Sequence, residues 1–146
     1  MKKHEPPDPN FETRARESFA RQKVMATIGA KLAEVSPGKV LIEMPFREDL
    51  TQQHGCIHAG IVTAIVDSAC GYAAFSLMTA GAEVLSIEYK VNFLSPAIGQ
   101  RFIARGQVIK AGRTITVCEG DVTALNEGKE KTVATMLATM ISIKKD

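Results

Sequence analysis

The sequence predicts an α+β roll, a curled antiparallel sheet wrapped around one long helix, and three observations carry that prediction. From Leu50 through Ala82 the only fully charged side chain is Asp67, and apolar residues flank it on both sides. Residues 84–94 alternate apolar and polar with the period of a half-buried strand. Two strand-like segments precede the apolar stretch and four follow it, and an antiparallel sheet with one apolar face can bury such a helix only by curling round it.

The first ten residues hold three prolines and are expected to be loosely held, leaving a single domain over 11–146. Phe11 to Met25 places Phe11, Ala15 and Phe19 near helical spacing among charges, which predicts one short amphipathic helix with its arginines on a solvated face. Ile28 to Val35 and Lys39 to Phe46 read as strands of a hairpin around Ser36-Pro37-Gly38. A polar loop from Arg47 to Gly55 then delivers the chain to the central helix, expected from His58 to Thr79 between Gly55 and Gly81. Apolar residues on nearly every side of that helix predict that it is wrapped by the sheet.

In residues 84–94, Leu85, Ile87, Tyr89, Val91 and Phe93 fall on one face, and Ser86, Glu88, Lys90 and Asn92 on the other. Ser95-Pro96 ends this strand. Arg101 to Lys110, Thr114 to Leu125 and Lys131 to Ile143 complete a meander through the turns Ala111-Gly112-Arg113 and Asn126-Glu127-Gly128, with Met136 and Met140 expected in the core.

A length of 146 residues leaves room for one core and no second catalytic module. A net charge of +2 gives no argument for nucleic acid or an anionic membrane as partner, and no uncharged apolar run is long enough to span a bilayer. Cys56, Cys70 and Cys118 are odd in number and lack C-x-x-C spacing, which fits reduced thiols in a cytoplasmic protein. The N-terminus has no apolar signal-peptide core. Glycine-rich phosphate loops, dinucleotide fingerprints and H-E-x-x-H are missing, which argues against nucleotide cofactors and zinc hydrolysis. His54, Cys56 and His58 lack a fourth partner for a metal site.

Function is sought first at Asp67, because an unpaired ion removed from water costs several kcal/mol and is neutralised, hydrogen-bonded or used. The first turn of the helix offers the N–H groups of Ala59, Gly60 and Ile61 to a developing negative charge, as an oxyanion hole does. Ala59 and Asp67 are eight residues apart, about 12 Å along a helix, so one small carbonyl cannot touch both. If both serve one reaction they come from different subunits, with two such helices antiparallel across a twofold axis. The rival for Asp67 is a structural acid bonded to a nearby Ser or Thr, and for His58 it is a helix cap.

The run H-A-G-I-V-T-A-I-V-D-S-A, followed by N-F-L-S-P-A-I-G and A-G-R-T, resembles the PaaI-type hotdog-fold acyl-CoA thioesterases, over most of the chain from about Gly29. That family's signature is H-G-G, six intervening residues and an acid. The resemblance implies a hotdog fold and hydrolysis of an acyl-CoA thioester, without metal or redox cofactor, by a homodimer or dimer of dimers. It further implies that Asp67 acts as nucleophile or general base and that Ala59 donates its backbone N–H to the thioester carbonyl. His58 matches the motif histidine, Gln52 falls where the family has an amide near the thioester, and Ser86 matches a hydroxyl residue that places water. Lys110, Gly112, Arg113 and Thr114 resemble a loop that contacts coenzyme A, with a solvated turn as the rival for Arg113. Alanine at position 59 keeps the N–H donor while its methyl narrows the approach. The alternative function is a non-catalytic acyl-CoA-binding module on the same roll.

Overall fold

The computed structural model describes residues 3–144. The chain forms α1 (Phe11–Arg21), α2 (Lys23–Ile28), β1 (Lys31–Ser36), β2 (Lys39–Pro45), a 3-10 turn (Glu48–Leu50), α3 (Ala59–Phe75), β3 (Ala82–Phe93), β4 (Arg101–Ala111), β5 (Ile115–Asn126) and β6 (Lys129–Lys144). The six strands make one antiparallel sheet in the order β1-β2-β4-β5-β6-β3. It curls around α3, whose Val62, Ile65, Val66, Ala69, Cys70 and Ala73 pack with Ile42, Met44, Phe102, Val122, Met136 and Met140 in a fully buried core. This is the hotdog architecture.

Close approach of helix to sheet requires glycine at two positions. Gly106 of β4 and Gly120 of β5 are register partners beneath α3. A Cβ at Gly106 would sit 2.3 Å from the carbonyl carbon and oxygen of Ala69 and 2.5 Å from the Cys70 nitrogen; one at Gly120 would sit 2.7 Å from Val66 Cγ2 and 2.8 Å from Cys70 Sγ. The paired glycines form a saddle on which the helix backbone rests.

Three expectations change at the N-terminal side. The single helix over 11–25 is two, because the chain turns extended at Gln22 between α1 and α2. The second helix takes up Ile28 and ends in left-handed Gly29, so β1 starts at Lys31 instead of Ile28. The arginines do not form a purely solvated face: Arg14 donates to the carbonyl oxygens of Met78 (2.8 Å) and Phe75 (3.4 Å), lies 4.3 Å over the Phe75 ring, and is locked by buried Asp8 at 2.9 Å. A cation at the C-terminal end of α3 meets unsatisfied carbonyls and the negative end of the helix dipole, which accounts for its inward turn. Asp8 is thereby fixed against α1; Met1 and Lys2 lie outside the described residues.

The central helix ends at Phe75, four residues before the expected Thr79, because the Ser76 hydroxyl donates to Ala73 O and accepts the Gly38 N–H, tying the helix end to the β1–β2 turn. Nor is it wrapped all round. Ala59, Gly60, Thr63, Ala64 and Asp67 form a stripe that β3 leaves uncovered, opening a groove.

The strand over 84–94 is interrupted, and the interruption decides which side chains face the helix. Between Ser86 and Glu88 the pairing with β6 shifts register at a bulge. Before it, Val84 and Ser86 face the helix side, Ser86 opposite fully buried Met140; after it, Tyr89, Val91 and Phe93 do. Leu85 and Ile87 therefore part company with the other three and are 54% and 52% exposed. One inserted residue reverses the inside and outside of everything beyond it.

Candidate active site

The loop into α3 is closed by the isolated bridge Thr51–Ile57, with Gln52 N donating to Cys56 O (2.9 Å) and Gly55 N to Gln52 O (3.1 Å), Gly55 taking the left-handed conformation this turn needs. The Gln52 side-chain oxygen accepts from His54 N, so its amide nitrogen is the end left to donate. His58 is the N-cap: its Nδ1 accepts the Gly60 N–H at 2.8 Å and its own N–H is held by Leu50 O. An accepting Nδ1 leaves the ring proton on Nε2. The structure thus brings out the capping role of His58. It uses the Gly60 donor internally, while Ile61 N bonds back to His58 O. The N–H of Ala59 meets no acceptor among the described residues and stands at the positive end of α3.

Two cavities meet at Ala59. One, about 420 Å³, is lined by Gln52, His54, Cys56, Val62, Phe93 and Pro96 as well as Ala59, and its walls are almost wholly apolar. The other is the open groove of about 550 Å³ between the α3 stripe and Tyr89, Val91 and Phe93 of β3. Asp67 lies two turns further along this groove. It is half-buried and its Oδ1 accepts the Ser86 hydroxyl at 2.7 Å. Ser86 is oriented toward the helix by the bulge, and its Oγ also lies 3.2 Å from Met140 Sδ.

Within one chain the predicted residues thus form two half-sites. Ala59, Gln52 and His58 stand at the start of α3; Asp67 and Ser86 stand about 12 Å away at the usual helical rise. Lys110, Gly112, Arg113 and Thr114 are exposed at the β4–β5 turn and line neither cavity. Strand register places that turn toward the Ser86 end of the sheet, since Ile115 pairs with Ile141 and Ile141 with Leu85. Sequence reasoning missed Tyr89, Val91 and Phe93 as a groove wall, because alternation looks unbroken across the bulge.

The thiols divide sharply. Burial pushes Cys118 up to about 12 and Cys70 higher still, so both stay protonated and inert, while Cys56 is only partly covered. Among the described residues no group of three or more His, Cys, Asp and Glu is placed to hold a metal ion, and no helix is long and apolar enough to cross a membrane.

Comparison with known proteins supplies an independent line. Residues 54–131 match the family model of the Thioesterase superfamily. Human acyl-coenzyme A thioesterase 13 is 30% identical over 99 residues, covering 67% of this chain and 70% of that protein. The crystal structure of a thioesterase family protein from Silicibacter pomeroyi superposes with a TM-score of 0.91 at 52% identity, covering 92% of this chain and 99% of that one. The E. coli PaaI protein from the phenylacetic acid degradation operon shares the fold, with a TM-score of 0.82 at 20% identity over 92% and 94% of the two chains.

Proposed function

The chain belongs to the thioesterase superfamily and is a thioester hydrolase, and from that premise we propose that it cleaves acyl-CoA at a site assembled from two copies of itself. The observation that carries this reading is the separation of an unpaired helix N-terminal N–H at Ala59 from a hydroxyl-bonded carboxylate at Asp67, along one open groove. Neither half polarises a carbonyl and activates an oxygen nucleophile by itself.

The edges of the sheet support the dimer. At β1, Arg16 donates to the Leu32 carbonyl and blunts the edge. At β3 the sheet ends with Tyr89 and Phe93 45% and 49% exposed beside the small-residue stripe of α3. Antiparallel pairing of two β3 edges extends the sheet, buries these side chains and sets the helices antiparallel, bringing Ala59 of one copy toward Asp67 of the other. Exposed Leu85, Ile115, Leu137 and Ile143 on the outer sheet face support association of two such dimers.

In the proposed reaction the thioester carbonyl oxygen accepts the Ala59 N–H and the Gln52 amide, which hold the charge that develops there. Asp67 of the second copy, oriented by Ser86, acts as general base: it takes a proton from water as the water oxygen bonds to the carbonyl carbon. The C–S bond then breaks, CoA leaves as its thiolate and takes up a proton, and the acid is released. Lys110 and Arg113 of the β4–β5 turn serve the phosphates of CoA. The methyl of Ala59 narrows the approach without removing the donor. Hydrolysis by this route needs no cofactor, and the reduced cysteines fit a cytoplasmic setting.

Asp67→Asn tests the assignment with a panel of acyl-CoA substrates and a thiol reagent reading CoA release. Turnover is expected to fall at least about a hundredfold, with melting temperature and ligand-induced stabilisation kept. Near-normal hydrolysis removes Asp67 from its role; stabilisation by acyl-CoA without turnover in the unsubstituted protein identifies a binding module instead.

A further inference from the structure

Asp67 faces two spaces. One is the groove between α3 and β3. The other is a small, partly open cavity of about 140 Å³ beyond Asp67 on the side away from Ala59, between the α1–α2 junction, α3 and the start of β3. The walls of the second are mainly polar, with Gly71 and Val84 among them. Ser68 donates to the Gln22 amide oxygen at 3.0 Å, Ser18 and Tyr72 pair their hydroxyls at 3.1 Å, and Glu83 and Ser86 complete the lining with Asp67. Apolar residues dominate the groove side, where Tyr89, Val91 and Phe93 form the wall.

The sequence keeps this cavity open at a conformational cost. Gly71 lies in the interior of α3, where glycine is about 1 kcal/mol less favourable than alanine. Unlike Gly106 and Gly120, it has no neighbour that forbids a side chain: a Cβ there meets nothing within 4 Å, and Gly71 lines the cavity. A helix interior surrendering stability for space that no residue of its own chain fills points to something occupying that space. The volume suits a small cluster of waters, each taking roughly 30 Å³ and needing two to four polar partners.

We propose that this polar cavity, kept open by Gly71, is the water reservoir that supplies the attacking oxygen to Asp67 from the side away from Ala59 while acyl-CoA fills the groove. The proposal rests on the reading of Asp67 as general base in acyl-CoA hydrolysis. It adds no chemical step: the water that enters is the one consumed, with its oxygen delivered to the acyl carbon and one proton to Asp67. Ser86 lines the cavity and bonds Asp67, the residue that lines both spaces.

Stepwise filling tests it. Gly71→Ala and Gly71→Val are compared with the unsubstituted enzyme for kcat, KM and melting temperature. The expected outcome is a kcat lowered about threefold by Ala and about tenfold or more by Val, KM within about twofold, and a melting temperature for Gly71→Ala at or above that of the parent. A purely structural role of Gly71 would move stability and kcat down together. Unchanged kcat in a folded Gly71→Val protein overturns the proposal, because the space is then filled without consequence. Should Val prevent folding, Gly71→Ala decides: lowered kcat with raised stability supports the reservoir, and parental kcat refutes it. Absence of acyl-CoA hydrolysis in the parent enzyme, or full activity of Asp67→Asn, refutes the underlying reading instead, so the two failures are distinguishable.

Discussion

Gly106→Ala probes how firmly the helix of the candidate site is held. In an ordinary strand this substitution gains about 0.5–1 kcal/mol by restricting the unfolded chain. Here the new methyl would lie 2.3 Å from the Ala69 carbonyl and 2.5 Å from the Cys70 nitrogen. Both neighbours are helix backbone, so no rotamer change relieves the clash, and α3 has to retreat by about 1 Å to restore ordinary contact. Overpacking costs 1–3 kcal/mol, and a site with no yielding side chain belongs at the upper end, about 3 kcal/mol. For a domain of this size that lowers the melting temperature by about 10 °C. Because Ala69 is two residues from Asp67, the retreat also disturbs the 2.7 Å bond to Ser86, and misplacement by about 1 Å costs roughly a hundredfold in rate. Gly120→Ala is expected to be milder, since two of its three nearest atoms belong to the Val66 and Cys70 side chains. Thermal unfolding by circular dichroism at fixed protein concentration, with parallel acyl-CoA assays, reads both effects. A Gly106→Ala protein melting within about 2 °C of the parent would refute the saddle as the element that fixes the helix.

Ser86→Ala removes the hydroxyl that holds Asp67 and is expected to lower kcat about tenfold with little change in melting temperature; steady-state kinetics check it. Arg14→Met strips buried Asp8 of its cation and the helix end of its cap, destabilising by about 2–4 kcal/mol in denaturant titration, with partial recovery in the double variant carrying Asp8→Asn. A thiol reagent is expected to label Cys56 promptly in the folded protein and Cys70 and Cys118 only on unfolding, as mass spectrometry of the labelled protein shows. The same buried thiols set an alkaline limit. Their folded values lie above the ordinary 9.0, so stability holds below about pH 9 and falls as pH rises toward 12, by about 1.4 kcal/mol per unit for each thiol; melting temperatures across that range test the slope.

Much of this architecture was legible because the signals are periodic. The apolar run around Asp67, the strand alternation and the turn residues predict six strands around one helix, and that is the fold. The misreadings lie where a local event changes no residue type. The bulge at Ser86–Glu88 leaves the apolar alternation of Leu85 to Phe93 intact on paper while reversing its faces in space. The break at Gln22 carries no Pro or Gly. Arg14 and Arg16 look like solvated charges until the backbone carbonyls they meet, 61 and 16 residues away in the chain, are placed. At the candidate site, the spacing of Ala59 and Asp67 was readable from helical rise alone. The cavity beyond Asp67 was not, because Ser18, Gln22, Ser68 and Glu83 converge only through the packing of α1 and the start of β3 against α3.

The glycine saddle gives the groove two walls of unequal freedom. Below, the helix rests directly on strand backbone, and enlarging Gly106 is expected to push the Asp67 carboxylate away from the Ser86 hydroxyl. Across from it, Tyr89, Val91 and Phe93 stand on an edge strand whose side chains are half exposed and whose backbone can already absorb an inserted residue. Reshaping the channel therefore falls to β3 more than to the helix bed, within the limit that Tyr89 and Phe93 also meet the second copy in the proposed dimer, and the Asp67 carboxylate stays anchored.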